Sequence, residues 1–227
     1  MFLTRKGPLM AASDVAAVTV LGRGGHGSAP HATLDPIPAA CEMVTALQTF
    51  AARSFAPFDP VVVTVGAFHA GTAANVIPDA ARFDLTIRSF SQESREKVRD
   101  GIIRVCRGIA AAHGLEVDVD YVEQYPVTVN DDTEAEFVAD VVTETYGPDR
   151  FGWQPQPATA SEDFSRVLDE IPGAFVFLGA CPTGQDPKKA AYNHSPLAEF
   201  DDSVLGDGAA LYSKLALRRL ARADEAA

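Results

Sequence analysis

The chain has 227 residues, 47% of them hydrophobic, and its 31 Asp and Glu against 19 Lys and Arg give a formal charge of −12. That length suits two modest domains, each with its own core, and the acidic balance excludes nucleic acid as a partner, because phosphate binding needs clustered cations. No apolar run approaches the ~20 residues of a bilayer span, and the opening MFLTRKGPLM lacks the apolar core of a signal peptide, so no membrane partner and a cytoplasmic location are expected.

Residues 15–21 are apolar and β-branched and predict a first strand. A glycine loop follows, after which Asp35 can cap a long helix, Pro36 suits its first turn, and Ile37, Cys41, Val44, Leu47 and Phe50 recur at helical spacing on the face expected to be buried. A second strand is predicted over residues 60–68. A third, RFDLTIRS, alternates Phe83, Leu85 and Ile87 with Arg82, Asp84, Thr86 and Arg88, the pattern of a half-buried strand with a polar outer face. Ser91 can cap a second helix over residues 92–113, with Val98, Ile102, Val105, Cys106 and Ile109 as its stripe and Gly114 at its end. LEVDVDYV alternates again as a fourth strand. The order β-α-β-β-α-β over residues 14–124 predicts an α+β ferredoxin-like sandwich, a four-stranded antiparallel sheet with two helices on one face.

Beyond Tyr125 and Pro126 the pattern changes. A helix is predicted over residues 133–146, stopped by Gly147, then an irregular FGWQPQPATA, a short helix after SEDF, a buried strand AFVFLG, and a last helix over residues 202–221. One short strand for three helices is too little sheet for an independent α/β domain. The three cysteines, Cys41, Cys106 and Cys181, are odd in number and lack C-x-x-C spacing, which speaks against a disulfide framework or a zinc knuckle. Cys41 and Cys106 sit among apolar helical positions and are expected in the core.

The loop GRGGHGSAPH contains G-x-G-x-x-G at Gly22, Gly24 and Gly27 directly after the first strand. A dinucleotide fingerprint needs a helix opening at its third glycine and an acidic residue closing the next strand. Here SAPHATLDP follows the glycine and the next strand ends TVGAFHA without a carboxylate, so the context fails. His26 and His31 have no carboxylate or thiol within their loop, whereas a catalytic zinc takes three protein ligands.

Read together, GPLMAASDVAAVTVLGRGGHGSAPH, GTAANVIPDAARFDLTIRSF, ASEDFSRVLDEIPGAFVFLGA and YNHSPLAEFDDSVLGDGAALY resemble the second half of an M20-family metal-dependent amidohydrolase, in the branch of hippurate hydrolases and N-acyl-amino-acid amidohydrolases. The resemblance extends over essentially the whole chain. It implies a ferredoxin-like lid that is also a dimerisation domain, residues 13–125, followed by the C-terminal part of an α/β metallo-hydrolase catalytic domain, residues 126–227, with residues 1–12 as the linker from the missing catalytic half. It further implies a small-molecule N-acyl amino acid substrate, a homodimer formed through the lid, and two divalent metal ions (zinc, manganese, cobalt or nickel) in the complete enzyme.

Residue by residue, His26 is similar to the histidine that reaches the neighbouring subunit's active site and stabilises the developing oxyanion, a contribution of several kcal/mol for a well-aimed donor. Asn75, in AANVIPD, and Arg88 resemble groups that hold the carboxylate end and the carbonyl of the substrate; a guanidinium fork on the polar side of its strand can meet a carboxylate. Glu162, in SEDF, resembles an acidic residue near the active site, and His194, in NHSP, resembles the C-terminal metal ligand. His31 is expected to be loop scaffolding, His69 to have no special role and His113 to be a helix C-terminal cation.

The family's metal site is assembled mainly from an H-x-D or G-H-D-G-H segment and a Glu-Glu pair, and this sequence has neither: no two glutamates are adjacent and no His lies two residues from an Asp. One imidazole cannot hold a catalytic metal, and the general base is missing with the pair. The chain is therefore expected to be a C-terminal fragment, inactive alone. A non-catalytic dimerisation or binding module of the same ancestry is the alternative. A freestanding ferredoxin-like sensor leaves the residues after Tyr125 without a purpose.

Overall fold

In the computed structural model, which describes residues 1–225, the chain runs through β1 (Phe2–Thr4), β2 (Gly7–Met10), β3 (Ala12–Leu21), β4 (Gly25–His26), α1 (Pro36–Ser54), β5 (Val62–Ala70), β6 (Val76–Ile77), β7 (Ala80–Ser89), α2 (Gln92–Ala112), β8 (Glu116–Tyr125), β9 (Thr128–Asn130), α3 (Asp132–Tyr146), β10 (Phe151–Trp153), α4 (Ser165–Glu170), β11 (Phe177–Leu178) and α5 (Leu205–Glu225). The last two residues of the expected 126–227 segment lie outside the described residues. Two units form. One comprises Met10–Thr128 with Pro157–Val167, the other Met1–Leu9, Val129–Gln156 and the residues from Leu168 onward.

In the larger unit, β3, β5, β7 and β8 form one sheet in the order β5-β7-β3-β8, with every neighbouring pair antiparallel. With α1 and α2 packed on it, this is the predicted ferredoxin-like α+β sandwich. The alternating pattern sets the register: Val18, Val20, Phe83, Leu85 and Ile87 are buried against the helices, while Arg82, Asp84, Thr86 and Arg88 take the other face of β7. Each fully buried side chain of this size contributes about 1.5–3 kcal/mol. Both predicted caps form: the Asp35 carboxylate accepts from Ile37 N–H at 3.0 Å, and Ser91 Oγ accepts from Ser94 N–H at 3.0 Å. Gly114, at φ +67, ends the second helix.

Helix α1 corrects the expected stripe in part: Leu47 is buried, and Val44 and Phe50 pack against the core, as expected. Its buried residues are Pro36, Ala39, Ala40, Met43 and Leu47, and Cys41 is exposed rather than in the core. The helix turns two small alanines toward the sheet, which lets it approach closely and rotates Cys41 outward by one residue's worth of twist. Cys106 is buried on α2 as expected, and burial pushes its thiol up to about 12, so the thiolate is not formed at neutral pH.

A buried charge closes one end of the sandwich. Asp14, 1% exposed, accepts from Arg95 Nε at 3.0 Å and from a terminal guanidinium nitrogen at 2.6 Å, from the Tyr121 hydroxyl at 3.0 Å and from Gln124 N–H at 3.2 Å. The β3–β8 register shifts between Ser13 and Asp14, leaving Gln124 as the extra residue of a bulge. Asp14 satisfies the N–H that the bulge takes out of the ladder. Burial and the neighbouring carboxylate raise the Tyr121 phenol well above its ordinary range, so it stays a donor to Asp14.

The smaller unit is built on a three-stranded sheet in the order β10-β1-β11, with β1 parallel to β10 and antiparallel to β11. Its core joins Phe2 with Phe137, Val138, Val141 and Val142 of α3 and Leu211 of α5. Buried Asn130 ties the unit together: its amide nitrogen donates to Arg5 O at 2.8 Å and to Thr4 Oγ1 at 3.0 Å, and its oxygen accepts from Phe175 N–H at 2.7 Å. Residues 1–12, expected as a linker, thus supply the central strand of this sheet. AFVFLG, expected as a buried strand, forms ladder bonds only at Phe177 and Leu178 and is half-buried, because its partner β1 is itself short. No helix among the described residues is long and apolar enough to cross a membrane.

Candidate lid site

The loop after β3 is held between two neighbouring segments. Gly22 N–H donates to Asp79 O at 2.8 Å, Arg23 pairs with Leu34, and Gly24 N–H donates to the Asp79 carboxylate at 2.8 Å. A Cβ at Gly24 would stand 2.5 Å from Ile77 O, so any side chain there must displace β6. The glycines permit close backbone approach; no phosphate-binding helix opens at the third of them, since a single 3₁₀ turn, Pro30–Ala32, follows.

This packing places His26 beside Asn75. β4 and β6 pair antiparallel with His26 opposite Val76, and Gly27 N–H donates to Asn75 O at 2.8 Å. Both side chains are exposed, which frees the Asn75 amide and one ring nitrogen of His26 for a ligand. The other ring nitrogen, Nδ1, is engaged by Ser28, through its backbone N–H at 3.1 Å and its Oγ at 2.8 Å. An open groove of about 560 Å³ runs alongside, with Gly27, Pro30 and Asp35 on one wall and residues 70–74 and 76–78 on the other.

Arg88 is at the opposite end of the sheet. In the β3–β7 ladder Arg88 faces Ser13, whereas Leu21 and Ala80, from which the two loops spring, face each other eight positions away. At the rise of a strand that separates the anchor points by about 26 Å. Arg88 is half-buried, and one guanidinium nitrogen donates to Thr86 Oγ1 at 2.8 Å and to Ile87 O at 2.9 Å, which leaves the rest of the fork for an anion. Glu162 lies on the segment attached to this same end: Ala11 N–H donates to Ala158 O at 3.0 Å, and Arg166 donates to Gln124 O. The Glu162 carbonyl accepts from Ser165 Oγ at 2.7 Å, and its side chain is half-exposed.

His194, in the smaller unit, has φ +73, the only positive value at a non-glycine among the described residues. It sits in a turn in which Ser195 N–H donates to Tyr192 O at 3.0 Å. A left-handed residue of this type carries backbone strain of the kind that gathers at functional positions. The remaining histidines behave simply: His31 is exposed in the 3₁₀ turn, His69 is exposed on β5, and His113 at the end of α2 meets the Glu42 carboxylate at 2.8 Å. Among the described residues no three His, Cys, Asp or Glu side chains are grouped to hold a metal ion. The donors among the described residues do not by themselves fit a catalytic metal, which takes three protein ligands.

Two residues carry weight that the sequence reading missed. Ser28 announces itself only as a hydroxyl residue two positions after a histidine, and Asp14 as a lone carboxylate at the start of an apolar strand.

The fold defines the class: one unit is a ferredoxin-like α+β sandwich, and the other is built on a three-stranded mixed sheet. Residues 13–113 match the M20 peptidase dimerisation domain. The hippurate hydrolase of Campylobacter jejuni is 36% identical over 219 residues, covering 96% of this chain and 55% of that protein. Thermostable carboxypeptidase 2 of Saccharolobus solfataricus is 37% identical over 220 residues, covering 96% and 54%. The crystal structure of Bacillus subtilis YxeP, described as a dinuclear metal-binding peptidase of the M20 family, superposes with a TM-score of 0.76 at 26% identity, covering 96% of this chain and 53% of that one. The chain belongs to the M20 peptidase family. It spans about half the length of the curated relatives it matches.

Proposed function

We propose that this chain is the lid, residues 13–125, and the C-terminal catalytic part, residues 126–227, of a metal-dependent amidohydrolase that releases amino acids from N-acyl conjugates of the hippurate type. The observation that carries this reading is the pairing of His26 with Val76, which sets exposed His26 and exposed Asn75 on adjoining strand ends. The hydrolase named among the relatives supports the substrate class. The separation of about 26 Å between the strand ends that carry the His26 loop and Arg88 exceeds the reach of a single N-acyl amino acid and supports a homodimer, in which a two-fold pair of lids lends His26 and Asn75 of one subunit to the site served by Arg88 and Glu162 of the other.

In that site His26 donates an N–H to the oxygen on which charge develops, Asn75 holds the carbonyl end, and the Arg88 fork takes the carboxylate. Glu162 stands near the reacting groups. His194 is a single metal ligand, and the remaining donors for two divalent ions belong to the part of the fold that this chain does not supply. The alternative of a non-catalytic dimerisation module is favoured by one observation, the missing donor cluster among the described residues.

Metal analysis and an N-acyl-amino-acid hydrolysis assay decide the matter. The isolated chain is expected to bind no stoichiometric zinc and to show no turnover, and to gain both with an M20 metal-bearing half; robust metal-dependent turnover by the isolated chain overturns the division of labour. An in-frame H-x-D segment and Glu-Glu pair in the DNA upstream of Met1 favours the enzyme, and their absence favours the module.

A further inference from the structure

We infer that Ser28 is a positioning residue that fixes the tautomer of His26, keeping Nδ1 as an acceptor and Nε2–H as the outward donor. The inference rests on the reading of His26 as an oxyanion donor for its purpose, and on the loop geometry alone for its substance. A backbone N–H can only donate. With Ser28 N–H 3.1 Å from His26 Nδ1, a proton on that nitrogen would set two donors against each other, so the neutral ring must carry its hydrogen on Nε2. The Ser28 hydroxyl, 2.8 Å from the same nitrogen, adds a second donor whose hydrogen rotates to suit.

The arrangement is built into the turn. Ala29 N–H donates to His26 O at 2.8 Å, which closes a tight turn over Gly27 and Ser28 and directs Ser28 N–H back toward the side chain of the first residue. An Asx turn does the same with a carboxamide or carboxylate oxygen; here a ring nitrogen takes the oxygen's place. Gly27 N–H is held by Asn75 O at 2.8 Å, so the turn cannot rotate without releasing the Asn75 loop as well. Position 28 therefore governs which nitrogen of His26 presents a hydrogen, and a His26 in the opposite tautomer would offer an oxyanion a lone pair instead of a donor.

The tautomer is read on the 227-residue chain itself, by ¹⁵N-histidine shifts at a pH where the ring is neutral, with His26 assigned by its loss in His26→Ala. The expected result is a dominant Nε2–H form and a through-hydrogen-bond coupling between Ser28 amide nitrogen and His26 Nδ1. Ser28→Ala, which keeps the N–H, should retain both signals. Ser28→Pro, which removes both donors, should raise the Nδ1–H share about fivefold or more, the worth of one net hydrogen bond. The coupling needs no variant, so misfolding of Ser28→Pro does not spare the inference. A dominant Nδ1–H form in the wild type, absence of the coupling, or an unchanged tautomer ratio in a folded Ser28→Pro overturns it. None of these readouts depends on whether His26 meets a substrate, so a failure of the proposed function is recognised separately.

Discussion

Asp14→Ala is expected to lower the stability of the chain by about 3–5 kcal/mol in denaturant unfolding, the cost of removing one partner from a buried ion pair. The substitution strands three groups at once: the Arg95 guanidinium, whose side chain is 7% exposed, the Tyr121 hydroxyl and the bulge N–H of Gln124. The half-exposed Glu123 carboxylate, 3.9 Å from Arg95, compensates the guanidinium only in part, and it is the desolvation of the abandoned donors, not the Coulomb attraction itself, that sets the size of the effect. Asp84→Ala is the control. Its ion pair with Arg82 has side chains 40% and 55% exposed and is worth at most about 1 kcal/mol. Equal losses in the two variants would mean that the Asp14 cluster is not sealed from solvent.

His26→Ala, introduced into enzyme assembled from this chain and a metal-bearing half, is expected to reduce kcat by about 10²–10³, the effect of deleting one oxyanion donor. KM should change far less, because the donor meets full charge only in the transition state. Arg88→Ala should do the reverse, raising KM through loss of the carboxylate fork. His26 is exposed and its strand is held through backbone hydrogen bonds, so the deletion should leave the sandwich folded, which circular dichroism checks. A His26→Ala enzyme with unchanged kcat removes His26 from the chemistry.

The sandwich was legible because its information is local. Alternation in β7, the caps at Asp35 and Ser91 and the glycine after α2 each act within a few residues, and together they leave one topology. The stripe of α1 was legible in part: Leu47, Val44 and Phe50 meet the core as expected, but Ala39 and Ala40 are as compatible with solvent as with a sheet, and only the sheet's proximity selects them over Cys41. β1 and β10 escaped for a different reason: three-residue strands carry no period, and their parallel pairing joins the start of the chain to residues far along it. The ladder bonds of AFVFLG likewise depend on where β1 ends.

The site residues divide in the same way. Their identities came from motifs that resemble a family, since nothing in the spacing of His26, Asn75 and Arg88 marks them as partners. What only the structure supplies is their arrangement in two groups, His26 with Asn75 at one end of the sheet and Arg88 at the other. Register arithmetic would have placed Arg88 correctly had the β3–β7 pairing been known. The Ser28 contact needs the turn geometry, and Asp14 needs the bulge.

That His26 serves the partner's site is tested most directly by mixing two variants, each defective at low substrate concentration. Assembled enzyme carrying His26→Ala is allowed to exchange subunits with enzyme carrying Arg88→Ala, and hydrolysis of an N-acyl amino acid is followed at a concentration far below KM, where both variants are defective. If the two residues act across the dimer, half of the randomly formed dimers are mixed, each with one intact site, and activity returns to about one quarter of wild type. If both act within one chain, every site stays defective. Activity that remains at the level of the separate variants, with exchange verified by mass, would contradict the account.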